Sequence, residues 1–236
     1  MFHKVGDRMI YITGDTHGNF LGVKHFCEQQ NTTTDDIMII LGDAGLNYYN
    51  NQLDTDRKKF VSEIPTTLFC IHGNHEMRPH HISSYKITEF CGGKVYKDNK
   101  YPNQLFAIDG EIYTFGNKQC LVVGGAYSVD KYYRLERGYG WFDDEQPSDE
   151  IKHRAEEQIK TQKIDIVLSH TCPFKYIPRE WFLSGIDQST VDTSTEKWLD
   201  SIEDKLDYKK WYCGHYHGEK RIDKMEFMFN GVKEFN

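Results

Sequence analysis

The sequence lacks any Cys-x-x-Cys pair, although it holds six cysteines, Cys27, Cys70, Cys91, Cys120, Cys172 and Cys213. With no such pair and no secretory signal, neither a zinc ribbon nor a disulfide framework is expected, and reduced thiols are the simpler reading. A basic excess is also missing: 29 Lys and Arg stand against 36 Asp and Glu, for a formal charge of -7. Extended duplex nucleic acid is therefore not an expected partner, and a polyanionic substrate would have to be attracted locally. No apolar run is long enough to span a bilayer, and no basic start with an apolar stretch and cleavage site precedes the first strand-like run at Met9. A soluble, cytoplasmic protein with no membrane partner is expected. Neither a Gly/Ser/Pro linker nor an internal repeat divides the chain, so residues 1–236 are read as a single domain with its own core. The oligomeric state does not follow from the sequence.

What is present is an alternation of short apolar runs and segments of helical length. Met9 to Thr13, Ile37 to Leu41 and Thr67 to Ile71 read as buried strands, each ending at a glycine-containing motif. Leu21 to Gln29 and Leu53 to Ile64 read as the helices between them, which predicts a βαβ arrangement. In the middle, Gln104 to Ile108, Glu111 to Phe115 and Cys120 to Gly124 are separated by Asp109-Gly110 and Gly116-Asn117, which predicts an antiparallel meander. Ser148 to Gln162 begins with a good cap residue and two acids, and leads to a strand over Asp165 to Leu168. A further helix is expected from a Thr193 and Glu196 capping box, with Trp198, Leu199, Ile202 and Leu206 on one face. Tyr208 to Cys213 then reads as a strand, and Arg221 to Phe229 as a closing hairpin about Asp223-Lys224.

Five polar motifs punctuate these elements: Gly14-Asp15-Thr16-His17-Gly18, Gly42-Asp43, Gly73-Asn74-His75-Glu76, Ser169-His170 and Gly214-His215-Tyr216-His217. Most follow an apolar run, so they sit where strands end and loops begin, the usual place of chemistry in open α/β sheets. Residues two apart share a face of extended chain, so Asp15 and His17 offer one carboxylate oxygen and one imidazole nitrogen to one cation. His215 and His217 repeat that spacing, Asp43 is suited to bridging two cations, and Asn74 and His170 add an amide oxygen and another imidazole. Mixed N and O donors without sulfur suit Mn, Zn or Fe. Two such ions about 3.5 to 4 Å apart share a hydroxide and clamp an in-line displacement, which is what phosphoester hydrolysis needs.

Taken in order, these motifs resemble the calcineurin-like metallophosphoesterase superfamily, whose Asp-x-His, Gly-Asp, Gly-Asn-His-Asp/Glu, His and Gly-His-x-His blocks are all matched between Gly14 and His217. The resemblance implies an α/β fold, a four-layer α-β-β-α sandwich with mixed sheets and a site at the strand C-termini. It implies two divalent metal ions, one held by Asp15, His17, Asp43 and His217, the other by Asp43, Asn74, His170 and His215. It also implies that His75 is not a ligand but a general acid, or a group that helps hold the phosphate; Glu76 either orients it or caps the following segment.

The protein phosphatase branch follows its second block with Asp-Arg-Gly, whereas this chain continues Gly42-Asp43-Ala44-Gly45-Leu46-Asn47. The missing acid is that branch's partner for the catalytic histidine, and the missing arginine its phosphate clamp. Asn47 is a partial substitute, and Arg78 either supplies a guanidinium to phosphate or lies solvated. Two glycines open Gly124 to Asp130, and the Tyr/Arg-rich stretch beyond them, with Tyr127 and Arg134, is expected to face substrate alongside Asn74. His80 and His81 are placed near the cleft. The expected reaction is hydrolysis of a phosphomonoester or phosphodiester by a metal-bridging hydroxide, with a small phosphoester or nucleotide as substrate and a phosphoprotein as the alternative.

Overall fold

The computed structural model describes residues 8–185 and 187–236. In chain order the first half is β1 (Ile10–Thr13), α1 (Leu21–Gln30), β2 (Ile37–Ile40), α2 (Gln52–Ser62), β3 (Thr67–Cys70), β4 (Tyr85–Phe90), β5 (Gly93–Asp98) and β6 (Gln104–Ala107). These strands, with β13 (Lys233–Glu234) from the far end of the chain, make a seven-stranded sheet of order β13-β1-β2-β3-β6-β5-β4. The second sheet takes β7 (Ile112–Phe115), β8 (Lys118–Val123), β9 (Ile166–Ser169), β10 (Lys210–Cys213), β11 (Lys220–Ile222) and β12 (Met225–Phe227), in the order β11-β12-β10-β9-β8-β7. Helices α3 (Lys131–Arg137), α4 (Asp149–Thr161) and α5 (Ser194–Glu203) come from the second half.

Both sheets are parallel at the centre and antiparallel at their edges. β1, β2, β3 and β6 run parallel in one, and β8, β9, β10 and β12 in the other. The Ile-Met-Ile-Ile run of β2 is buried on both faces, as a central parallel strand requires. Between the sheets lies a core that includes Ile12, Ile39 and Phe69 from one and Tyr113, Val122 and Ile166 from the other. A second cluster packs α1 and α2 on the outer face of the first sheet through Val23, Cys27 and Val61, and a third packs α4 and α5 on the second through Ala155, Leu199 and Ile202. The expected four layers, helix, sheet, sheet, helix, are present. Each fully buried aliphatic or aromatic side chain stabilises this stack by about 1.5 to 3 kcal/mol.

Local signals explain the helix starts. Ser148 accepts from the Ile151 amide at 3.3 Å, and Asp149 and Glu150 occupy the first turn of α4. Thr193, by contrast, makes no side-chain cap bond; Glu196 turns inward instead and accepts from Thr171 Oγ1 at 2.8 Å. The expected capping box is thereby replaced by a tertiary bond.

The meander is also corrected. Gly116-Asn117 does join an antiparallel β7–β8 pair, but Asp109-Gly110 carries the chain from one sheet to the other, because β6 pairs with β3 and β5. The Asp109 carboxylate is spent on the Gly124 amide at 2.7 Å and on Arg78 at 2.6 Å, so it ties loops rather than closing a hairpin. The β4–β5 hairpin turns at Cys91-Gly92, both at positive φ, and had no Asn-Gly or Asp-Gly signal. Among the described residues no helix is long and apolar enough to cross a membrane.

Candidate metal centre

The motifs all leave the C-terminal ends of parallel strands: Asp15 after β1, Asp43 after β2, Asn74 after β3, His170 after β9, and His215 and His217 after β10. Four residues of the motifs adopt left-handed backbone, His17 (φ 47°), Asp43 (φ 47°), His215 (φ 67°) and His217 (φ 50°). Outside glycine that conformation costs on the order of 1 to 3 kcal/mol each and persists only where surrounding bonds impose it. Here the His17 amide donates to the Asp43 carbonyl at 2.8 Å, and the His215 amide to Asp15 Oδ1 at 3.0 Å. Gly42, at φ 98°, has no room for a side chain, since a Cβ would sit 2.0 Å from His170 Nδ1.

These turns bring the donor atoms together. His217 Nε2 lies 3.2 Å from Asp15 Oδ2, and His17 Nε2 lies 3.9 Å from Asp15 Oδ2 and 3.9 Å from Asp43 Oδ2. His17 Nε2 and His217 Nε2 face each other at 2.9 Å. On the other side of Asp43, His170 Nε2 is 3.7 Å from Asp43 Oδ2 and 2.8 Å from Asn74 Oδ1, and His215 Nδ1 is 3.1 Å from the same amide oxygen. Asp15, His17 and His217 gather closely enough to hold one ion, as do Asp15, Asp43 and His170.

The donor chemistry fits cations. His170 Nδ1 lies 2.8 Å from the Leu41 carbonyl, which only accepts, so Nδ1 carries a proton and Nε2 is the nitrogen turned to the cluster. That nitrogen faces Asn74 Oδ1 at 2.8 Å, and the amide is oriented so because Asn74 Nδ2 donates to Ser128 Oγ at 2.9 Å. Two acceptors so close repel unless a proton or a cation lies between them. Burial, reinforced by His170, pushes His215 well below the usual imidazole range and so leaves its lone pair free. Burial alone would raise Asp15, but His170, His217 and the His215 amide outweigh it and hold the carboxylate below its ordinary value.

His75 stands beside this cluster, its amide donating to Asp43 Oδ1 at 2.8 Å. Its ring meets Arg134 Nη2, 2.5 Å from Nδ1 and 3.2 Å from Nε2, and Nε2 is 3.8 Å from Asp130 Oδ1. Burial and the Arg134 charge lower its proton affinity, opposed by Asp43 and Asp130. Glu76 does not orient His75: Glu76 is buried, accepts from the Gly73 amide at 3.0 Å, and is pushed up to about 8 by burial and by Asp43.

Among the residues expected at substrate, Arg134 reaches the cluster and Arg78 does not. Arg78 is buried, paired with Asp109 at 2.6 Å and donating to the Asp144 carbonyl at 2.8 Å, so its guanidinium pins loops instead of clamping phosphate. Asn74 spends its amide on Ser128 and two imidazoles. Tyr127 is buried, and among the described residues no hydrogen bond or ion pair joins it to the metal loops. Asn47 accepts from Tyr85 OH at 2.9 Å and takes no part. His80 and His81 gather at Asp144. Sequence reasoning gave Ser128, Asp130 and Tyr48 no role of their own, because their only link to the site is tertiary. The Tyr/Arg-rich stretch that follows the two glycines forms the helix α3.

Comparison with known proteins agrees with this architecture. No curated protein matches the chain. The TT1561 protein of Thermus thermophilus superposes with a TM-score of 0.52 at 11% identity, over 97% of this chain and 98% of its own. A second crystal structure gives a TM-score of 0.50 at 11% identity, over 94% of this chain and 89% of its own. At such identity these two show a shared fold. The profile of the calcineurin-like phosphoesterase family matches residues 9–219, which contain every motif described above. The chain belongs to the calcineurin-like phosphoesterase family, and so to the metal-dependent phosphoester hydrolases.

Proposed function

We propose that this protein hydrolyses a small phosphoester, a nucleotide being the favoured class, with two divalent ions of the Mn, Fe or Zn type. One ion would be held by Asp15, His17, Asp43 and His217, the other by Asp43, Asn74, His170 and His215. When bound, such a pair lowers the pKa of a water towards about 7 and neutralises charge on the phosphoryl oxygens. The observation that carries the reading is the juxtaposition of His75 and Arg134 at the edge of the Asp43 cluster, within 2.5 Å of each other.

Arg134 binds the phosphoryl group with a guanidinium already held in place, which lowers the ordering cost of binding. His75, in its imidazolium form, hands the departing oxygen a proton. A small substrate is favoured because α3 walls the site: Arg134 donates to Tyr48 OH at 3.1 Å and to the Gly140 carbonyl at 2.8 Å, closing the space beyond His75. Tyr132, Tyr133 and Tyr139 are exposed on that wall and offer ring faces to the organic part of the ester.

A turnover screen of the Mn-loaded chain over phosphomonoesters, phosphodiesters, nucleotides and phosphopeptides tests this. Preferential hydrolysis of a nucleotide or other small ester is expected. Preference for phosphopeptides would overturn the substrate class, and no turnover with any divalent metal would overturn the enzyme reading.

A further inference from the structure

Asp130, the residue before α3, does two things at once. Its Oδ2 accepts from Arg134 Nε at 2.7 Å, while Oδ1 is buried, lacks any hydrogen-bond partner and lies 3.8 Å from His75 Nε2. The Asp130 side chain as a whole is 40% exposed, so this oxygen stands at the edge of the site and has capacity to accept a further donor. Arg134 is committed in a countable way. Of its five N–H groups one goes to Asp130 and two go to Tyr48 and Gly140, while the remaining two face the His75 ring, which accepts one of them when neutral and neither when protonated. At least one Nη2–H is therefore left beside His75 without a partner.

We propose that Asp130 is the positioning residue of a unit with Arg134 and His75, carried on the turn and helix that follow β8. It aims the uncommitted Arg134 N–H at a phosphoryl oxygen and steadies the His75 ring for the leaving oxygen. Such a unit would supply an acid and a guanidinium to a chain in which Gly42-Asp43 is followed by Ala44 rather than by these two. The inference rests on the phosphoester reading above. In the step served, a water oxygen bonds to phosphorus and the bond from phosphorus to the leaving oxygen breaks. The leaving oxygen keeps that bond's electron pair and takes a proton from His75, the water's surplus proton passes to solvent, and solvent reprotonates His75.

The test compares the wild-type chain, Asp130→Asn, Asp130→Glu, His75→Ala and the Asp130→Asn/His75→Ala pair, all Mn-loaded. Esters with a good leaving group (p-nitrophenyl) and a poor one (alkyl) are the substrates. Asp130→Asn should lose on the order of tenfold or more in kcat on the alkyl ester and much less on the p-nitrophenyl ester. The loss should shrink in the His75→Ala background and be partly rescued in Asp130→Glu. Calorimetric binding of inorganic phosphate is read alongside, and Asp130→Asn should weaken it through Arg134 whether or not turnover is found. A uniform loss over both esters that adds to that of His75→Ala, or phosphate affinity equal to wild type, would overturn the proposal. Should the wild type hydrolyse no ester, the functional reading fails, and phosphate binding still decides the role of Asp130.

Discussion

Asn74 Nδ2 donates to Ser128 Oγ over 2.9 Å, across a separation of 54 residues. The bond decides which end of the amide faces the histidines: Oδ1 points to His170 and His215 because the nitrogen is engaged elsewhere. A serine on the loop after β8 thus sets the donor chemistry of a loop after β3.

Ser128→Ala should therefore free the Asn74 amide to rotate and weaken one of the two metal positions by about 10- to 100-fold, with the other nearly unchanged. Calorimetric titration of the metal-free chain with Mn is the measurement. Two unaltered affinities would show that the amide is held without Ser128.

Asp43 and His75 should separate cleanly. Asp43→Asn removes the charge that lies between the two groups of donors, so metal binding and turnover should both fall. His75→Ala should keep both metals and lose about 10²- to 10⁴-fold in turnover. Metal content per chain, measured beside hydrolysis of p-nitrophenyl phosphate, distinguishes them; wild-type rates in His75→Ala would remove its assigned role.

Arg78→Ala should act on stability and leave substrate affinity alone. Its partner Asp109 is 1% exposed at the side chain, and removing one member of such a buried pair costs about 3 to 5 kcal/mol. Urea denaturation is expected to show that loss while KM stays at the wild-type value. A raised KM with unchanged stability would restore Arg78 to the substrate.

Glu196 supplies a pH dependence. Burial pushes its carboxyl above the ordinary 4.5, against the Thr171 hydroxyl and His170, with Asp192 adding to the rise. The folded state keeps this proton where the unfolded chain has lost it, so the group's contribution is complete below about pH 4.5 and is lost as pH rises through the folded value. Glu196→Gln removes that loss while keeping an oxygen for Thr171 Oγ1. The stability of Glu196→Gln relative to wild type should grow as pH rises above about 4.5 in urea melts, and a difference independent of pH would refute it.

Much of this was legible in the chain. Apolar runs such as Ile37 to Leu41 can only be satisfied as central parallel strands, and the glycine-bearing motifs that end them lie at the strand C-termini. Asp109-Gly110 misled because its turn chemistry is local, whereas strand partners are chosen by which sheet buries each apolar face. Thr193 misled similarly: Glu196 gained more from Thr171 than from the helix start. Arg78 and Arg134 look alike in sequence, and only the carboxylates each one meets, Asp109 for the first and Asp130 for the second, separate a structural guanidinium from one at the site.

By itself, then, the sequence determined the reaction class: residue types, spacing and order suffice for a two-cation donor set, since ligand identity is a property of side chains and motif order follows strand order. The tertiary structure alone decided which way the Asn74 amide points, which arginine reaches His75, and that Asp130 stands beside it. Those are contacts between loops of different strands, set by how two sheets pack face to face, and no local pattern encodes them.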